Sequence, residues 1–305
     1  MHMRVLITGV TGLLGRYLCM TKRPADELHG LTRAAGVPDL EGLCSIHQVD
    51  VTDEAVLGQL LAEIAPDVVI HCAAEGSVDS VEGRISDYRR LNVEVGVRLA
   101  TYSAGKGIQF VLVSSNAVFG GSPRPYSDAS PVDPINDYGR LKAEAEVAAL
   151  LVYPATFIPR PILMYGWPLA GQRANPPVAW VARLRGDLEI RVVDDVWTEP
   201  LAAWDCAESI WSGIERGAAG TVNVSGGVRI SLLEFAQMTA ATFSLDSELV
   251  VGISSSDLEG LAPRPQETMF DLHRLKSELD MTPVGPLLGL ARLRETEVSL
   301  GHAVE

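Results

Sequence analysis

The 305-residue sequence predicts an α/β protein: a Rossmann-type doubly wound parallel sheet with a smaller, interleaved C-terminal α/β substrate lobe. Three observations predict it. The chain opens with a strand-like run that leads straight into Gly9, Gly12 and Gly15, spaced G-x-x-G-x-x-G, and then into a helix pattern. Strand-like and helix-like stretches alternate up to Arg160, which yields a parallel sheet with helices on both faces. Beyond Arg160 the texture changes and becomes rich in proline, glycine and aromatic residues.

The first strand, Arg4–Thr8, is short, β-branched and aliphatic, as a buried parallel strand should be. Gly9 permits the sharp turn after it, and Gly12 lets backbone come close to a pyrophosphate. Gly15 lets the helix Leu13–Met20 pack on the sheet with its N-terminus aimed at the phosphates. Further strands are expected at Leu28–Thr32, Ser45–Val49, Asp67–His71, Ile108–Ser114 and Ala155–Pro159. Further helices are expected at Glu54–Ile64, Tyr88–Ala104 and Tyr138–Leu151. A ligand belongs at the carboxyl ends of the strands, where the strand order reverses.

Pro161–Pro177 leads into a helix that ends at Arg185 and a strand at Leu188–Val193. Asp205–Glu215 reads as a helix and Thr221–Val224 as a strand that rejoins the sheet. Residues 1–160, with 200–225, are therefore expected to form the dinucleotide domain, and 161–199 and 226–305 the substrate lobe. Ser231, with Glu234 three residues on, forms a capping box before the helix Leu232–Phe243.

Composition narrows the class. The chain is 47% hydrophobic and 21% charged, ordinary for a globular protein, and no apolar run has transmembrane length. It opens on a strand, not on a basic, signal-like region, so a cytoplasmic location is expected. A net charge of -14 argues against nucleic acid or an anionic membrane as partner, and an anionic substrate then needs a local basic pocket. Cys19, Cys44, Cys72 and Cys206 lie far apart without metal-ligand spacing, and the six histidines form no cluster. Reduced, mostly buried thiols and no metal are the expectation.

A second motif, Tyr138-Gly-Arg-Leu-Lys142, places a phenol and an ammonium on one helical face. A nearby lysine cation favours phenolate and is expected to lower the tyrosine pKa toward the range useful for acid–base work. Upstream, the strand beginning at Val111 ends in the hydroxyls Ser114 and Ser115, where a substrate carbonyl would sit. The glycine loop, this strand end and the Tyr/Lys pair together point to carbonyl chemistry beside a dinucleotide.

These residues resemble the extended short-chain dehydrogenases/reductases. Within them the chain is most similar to the dTDP-4-dehydrorhamnose reductase group, which includes the non-catalytic β subunit of methionine adenosyltransferase. The resemblance runs through Gly9–Gly15, Asp50-Val-Thr-Asp53, Pro66–Ala74, Val78–Glu82, Asn92, Ser114–Gly120 and Tyr138–Lys142. Two later stretches match the subgroup. Asp195 through Pro200 to Asp205-Cys-Ala207 fits D-x4-P-x4-D-L-A, and Arg264 through Thr268 to Asp271 fits R-P-x-x-S/T-x-x-D. The chain departs from the first pattern with Leu201 for the usual threonine and Thr198 for the usual glycine, which puts the sugar loop in question.

The resemblance implies roles. Ser115 would hydrogen-bond the substrate carbonyl, Tyr138 would protonate it, and Lys142 would hold the nicotinamide ribose and tune Tyr138. Gly9, Thr11, Gly12, Leu13, Leu14 and Gly15 would carry the phosphates; Asp50 and Val51 would flank the adenine. Cys72, Ala73 and Ala74 would line the cofactor path, with Asn92 and Ser114 supporting it. Pro161 and Ile162 would face the nicotinamide, and Asn116 and Arg264 would join Ser115 on the substrate.

The second strand ends in Thr32 and Arg33, not in an acid, and a guanidinium suits a 2′-phosphate. NADP is therefore expected over NAD, with Arg16 on the first helix as an alternative anion partner. The implied reaction is NADPH-dependent reduction of a keto group on a nucleotide-linked deoxysugar. An epimerase, or a non-catalytic NADP-binding regulatory subunit, remains open. The family's helical dimer interface would use Tyr88–Ala104 and Tyr138–Leu151. Asp87, Arg89, Arg90, Glu94 and Arg98 fit a solvated face equally well.

Overall fold

The computed structural model describes residues 2–37, 40–258 and 260–301. In chain order the first half runs β1 (Arg4–Thr8), α1 (Leu13–Met20), β2 (Glu27–Thr32), β3 (Ser45–Gln48), α2 (Glu54–Ile64) and β4 (Val68–His71). The short α3 (Val78–Val81) and α4 (Ile85–Arg89), α5 (Val95–Lys106), β5 (Gln109–Leu112), α6 (Asp137–Val152) and β6 (Phe157–Pro161) follow. The second half holds β7 (Met164–Tyr165), α7 (Pro176–Arg185), β8 (Ile190–Val193), β9 (Trp197–Thr198), β10 (Leu201–Ala202), α8 (Ala203–Glu215) and β11 (Gly220–Val224). It ends with β12 (Ile230–Ser231), α9 (Leu232–Thr242), β13 (Val250–Ile253), α10 (His273–Ser277) and α11 (Pro286–Glu295).

Seven strands form one sheet in the order β11-β6-β5-β4-β1-β2-β3, all pairs parallel. The order reverses between β1 and β4, and there the carboxyl ends of both strands open a crevice. Alternation along the strands separates two cores. Val5 and Ile7 of β1 pack with α1 and α8, whereas Leu6 packs with α2, α5 and α6. β11 reaches the far edge by pairing with β6, Gly220 opposite Phe157 through Val224 opposite Pro161. The C-terminal lobe gathers α7, α9 and α11 over three small two-stranded sheets, with Trp167, Phe235 and Leu290 in its core.

Capping residues set many boundaries. Asp53 accepts from Ala55 N at 3.1 Å and Val56 N at 3.2 Å to start α2, and Asn136 accepts from Gly139 N at 2.8 Å to start α6. The Ser231–Glu234 capping box is present, with Glu234 N donating to Ser231 Oγ at 3.1 Å. The last β strand of the first half begins at Phe157, two residues later than expected. Thr156 instead turns back to Tyr153, its N–H and hydroxyl both on that carbonyl.

The helix expected over Tyr88–Ala104 starts earlier and is broken. A π turn at Arg90–Glu94 separates α4 from α5, and Asn92 sits within it. The strand expected from Leu188 starts at Ile190, because Asp187 adopts φ 53° and Leu188 N bonds back to Arg183 O.

Candidate active site

The crevice at the β1/β4 reversal is a cleft of about 370 Å³. Of the residues expected to hold a dinucleotide, Gly9, Thr11, Gly12, Arg33, Asp50, Val51, Cys72, Ala73 and Ala74 line it. Gly9 sits at φ +69°, and a Cβ there would lie 2.8 Å from Ala73 Cα, so a side chain is barred by both conformation and space. Gly15 is not in the wall; a Cβ on it would meet Val10 Cα at 2.6 Å, so its role is the close seating of α1. Leu13 and Leu14 share that first turn, and Leu14 is buried in the core. Leu31, Thr32, Ala34, Val49, Leu91 and Gln172 also line the cleft. All but Gln172 lie within two residues of an expected position. Gln172 comes from the other lobe with no local signal at all.

Thr8 ties the two strand ends together beneath the cleft. Its hydroxyl is 2.7 Å from His71 Nδ1 and accepts from Ala73 N at 3.2 Å. Burial pushes the His71 imidazole down to about 3, so the ring is neutral. Asn92 grips the next turn at both ends, accepting from Glu75 N at 2.8 Å and donating to Glu75 O at 3.1 Å. Its role is thus to hold the loop that follows Ala74.

Ser115, Tyr138 and Lys142 converge at the end of β5. Gly139 is buried against the turn Asn116–Val118, where a Cβ would collide with the Ala117 carbonyl oxygen, so α6 is drawn onto Ser115. Ser115 Oγ accepts from Ala117 N at 3.1 Å and lies 3.4 Å from Asn116 Oδ1. Burial pushes the Tyr138 phenol up to about 12; a hydrogen bond with Ser115 works against that, and the Glu75 charge adds to it. This corrects the expectation of a lowered tyrosine pKa. Lys142 is buried, its Nζ donates to Val113 O at 2.9 Å, and burial pushes its own pKa down to about 8.

Ser114 turns away from the cleft. Its hydroxyl donates to Glu146 Oε1 at 2.5 Å, and Glu146 is gripped by Arg160 through Nε at 2.9 Å and Nη2 at 2.6 Å, all buried. Pro161 and Ile162 are buried where β6 ends, with Ile162 N on Val224 O at 3.2 Å. Arg264 is paired with Asp79 at 2.7 Å and donates to Ala262 O at 3.0 Å. Arg16 donates to the Trp167 and Pro168 carbonyls at 2.9 and 2.7 Å, and so engages the C-terminal lobe.

The two aspartates of the first later motif act as braces. Asp195 accepts from Ser254 and Ser255, and Asp205 accepts from Arg292 Nη1 at 3.0 Å. Leu201 is buried in the core and pairs with Met164, while Thr198 pairs with Ile230. Cys19 and Cys206 are buried and Cys72 is half-buried, whereas Cys44 is exposed; all four are free. Among the described residues no helix is long and apolar enough to cross a membrane, and no cluster of His, Cys, Asp or Glu is arranged to hold a metal.

The expected charged positions on the α4–α5 face bond within the chain. Arg89 pairs with Glu94 at 2.7 Å and Glu144 at 2.5 Å, Arg98 pairs with Glu54, and Arg90 donates to Thr52 O at 2.8 Å.

Comparison with known proteins agrees with this arrangement. The model of the RmlD substrate binding domain matches residues 3–285. A dTDP-4-keto-6-deoxy-D-glucose reductase of Streptomyces niveus is 28% identical over 92% of this chain and 92% of its own length. Methionine adenosyltransferase 2 subunit beta of Bos taurus is 28% identical over 90% of this chain and 82% of its own length. The structure of a dTDP-4-dehydrorhamnose reductase from Bacillus anthracis in complex with NADP superposes with a TM-score of 0.86 at 26% identity, covering 97% of this chain and 99% of that one. A UDP-glucose 4-epimerase from Thermotoga maritima shares the fold, with a TM-score of 0.83 at 17% identity over 96% and 99% of the two chains. A family match spanning residues 3–285, with the glycine loop in a cleft at the strand-order reversal, places the protein in the RmlD substrate binding domain family, among the dTDP-4-dehydrorhamnose reductase-like, NAD(P)-dependent oxidoreductases of the extended short-chain type.

Proposed function

We propose that the protein reduces a keto group on a nucleotide-linked deoxysugar with NADPH, and that Tyr138 is the proton donor. The observation that carries this reading is the convergence of Ser115 and Tyr138 beside the cleft that contains the glycine loop. The names of the two reductase relatives support the substrate class, and the NADP complex supports the cofactor.

The residues present fit a dinucleotide: Gly9 leaves room that a side chain would fill, and the N-terminus of α1 offers unpaired amides to a pyrophosphate. Gly9, Thr11 and Gly12 would hold the phosphates, Arg33 the 2′-phosphate, and Asp50 and Val51 the adenosine end. Lys142 would turn from Val113 O toward the nicotinamide ribose. When bound, NADPH supplies the hydride.

The chain's own residues do the rest. Ser115 Oγ donates to the substrate carbonyl oxygen and polarises it. Tyr138 is protonated at neutral pH, and its hydroxyl delivers the proton to the oxygen as negative charge develops there. The Lys142 cation then lies near the tyrosinate and limits its cost. Asn116 and Arg264 would join Ser115 on the substrate, Arg264 from its pair with Asp79. We place the activity in the cytoplasm, where NADPH and free thiols coexist. We include a homodimer across α5 and α6, where Val147 and Leu151 of α6 are exposed.

Oxidation of NADPH with a nucleotide-linked 4-keto-6-deoxy sugar tests the reading, using wild type and Tyr138→Phe. Turnover by the wild type that falls about 10²- to 10⁴-fold in the variant, with NADPH affinity kept, is the expected result. NADPH binding without turnover on any keto sugar would favour a regulatory role instead, a reading supported by the match to methionine adenosyltransferase 2 subunit beta.

A further inference from the structure

A segment of the C-terminal lobe reaches the cofactor cleft. Residues 166–175 leave β7, pass over the first turns of α1 and return as α7. Two α1 side chains hold the segment there: Arg16 through the Trp167 and Pro168 carbonyls, and Tyr17, whose hydroxyl accepts from Trp167 N at 2.8 Å. The segment is closed on itself as well. Asn175 Nδ2 donates to Gly166 O at 2.6 Å, and Gln172 N donates to Leu169 O at 3.0 Å. At its tip Gln172 is exposed, and it lines the cleft together with Gly9, Gly12 and Arg33. The neighbouring Arg173 is near enough to Asp79 for its charge to act there, so the strap also borders the Asp79–Arg264 pair.

We propose that Gln172 is a cofactor ligand supplied by the C-terminal lobe, its carboxamide N–H donating to a pyrophosphate oxygen of the dinucleotide. The proposal rests on the reading of the cleft as a dinucleotide site. The anchors on Arg16 and Tyr17 fix the strap to the helix whose N-terminus faces the phosphates, so the tip is held over that end of the cleft. A carboxamide suits the position: it donates to a phosphoryl oxygen and adds no charge that the open cleft would have to desolvate. The lobe that binds the substrate thereby also grips the cofactor.

Fluorescence titration of NADPH into wild type and Gln172→Ala tests this, with adenosine 2′-monophosphate as the ligand that lacks a pyrophosphate. The expected result is an NADPH Kd raised about three- to tenfold in the variant, the worth of one hydrogen bond. The affinity for adenosine 2′-monophosphate and the thermal midpoint of the free protein stay unchanged. Tryptic cleavage after Arg173 is expected to slow when NADPH binds the wild type, and to slow less in the variant. An unchanged NADPH Kd, or an equal loss for both ligands, overturns the pyrophosphate contact while leaving the dinucleotide site standing. A wild type that binds no NADPH overturns the site reading and the proposal with it.

Discussion

Lys142 and Tyr138 lie one helical turn apart on α6, yet the lysine does not serve the phenol directly. Its ammonium is bonded to the Val113 carbonyl at 2.9 Å and stands 5.9 Å from the centroid of the tyrosine ring. Burial moves the two groups in opposite directions, Tyr138 up to about 12 and Lys142 down to about 8. Both stay protonated at neutral pH. A protonated phenol is the form a reductase needs, because the oxygen it serves gains a proton during the reaction.

Lys142 gives the pH dependence of stability a definite sign. The folded lysine releases its proton near 8, while the unfolded one holds it to its ordinary value of 10.5. Between those values the unfolded chain binds more protons, so this contribution makes stability rise with pH. Tyr138 has the opposite sign above 10, where the folded chain keeps the proton that the unfolded chain loses. Denaturant unfolding across this range should show the wild type gaining stability from 8 to 10 relative to Lys142→Met. Parallel curves would mean that Lys142 is solvated in the free protein.

His71 acts at the acid end. Its imidazole is buried and bonded to Thr8, with its pKa pushed down to about 3 from an ordinary 6.5. As pH falls below 6.5 the unfolded chain takes up a proton that the folded chain refuses, so stability is lost progressively toward 3. His71→Asn should lose less stability than wild type between pH 7 and pH 4 (about neutral to mildly acidic conditions), although it starts lower because the Thr8 bond is altered. Urea midpoints measured over that interval decide it; an equal acid loss in both proteins would assign the effect to carboxylates elsewhere.

The glycine loop and the alternation of strands and helices were legible because their causes are local. A positive φ at Gly9 and apolar runs in β1, β4 and β5 need no knowledge of distant contacts. The inward turn of Ser114 was missed: the resemblance put it beside the cofactor, whereas its hydroxyl bonds the buried Glu146, 32 residues on. The break in the helix at Arg90–Glu94 was not legible either. It exists where Asn92 meets Glu75, a contact made across the fold. The same holds for Arg264, which a motif assigns to substrate but whose partner, Asp79, lies far away in sequence. Gln172 enters the cleft only because Arg16 and Tyr17 hold its strap there.

The buried Glu146–Arg160 pair supports the strand end that carries Ser114 and Ser115. Glu146 receives two bonds from Arg160 and one from Ser114, the residue next to Ser115. Removing one member leaves the other charge uncompensated, so Glu146→Ala should cost about 3–5 kcal/mol. Replacing both with apolar residues of similar size, as in Glu146→Met with Arg160→Met, should restore most of that loss. Equilibrium unfolding of the three proteins checks the stability. If Ser114 positions Ser115 through this pair, the double variant should regain stability while keeping a lowered kcat. Full recovery of both would make the pair purely structural.

Arg33 is the residue we propose to set which dinucleotide the cleft prefers. It is exposed at the end of β2 and lines the cleft with Thr32 and Ala34, opposite Asp50. Asp50 is held below the usual carboxylate range first by its bonds from Thr52, with the Arg33 charge contributing. The Asp50 carboxylate is thus engaged by Thr52, which leaves the guanidinium as the group suited to a 2′-phosphate. Arg33→Ala should weaken NADPH about ten- to a hundredfold, the worth of a hydrogen bond to a charged group, and leave NADH nearly unchanged. Titration of both dinucleotides separates the outcomes. A parallel loss would move Arg33 to the shared pyrophosphate, and no loss would make it a solvated residue with no part in choosing between the two dinucleotides.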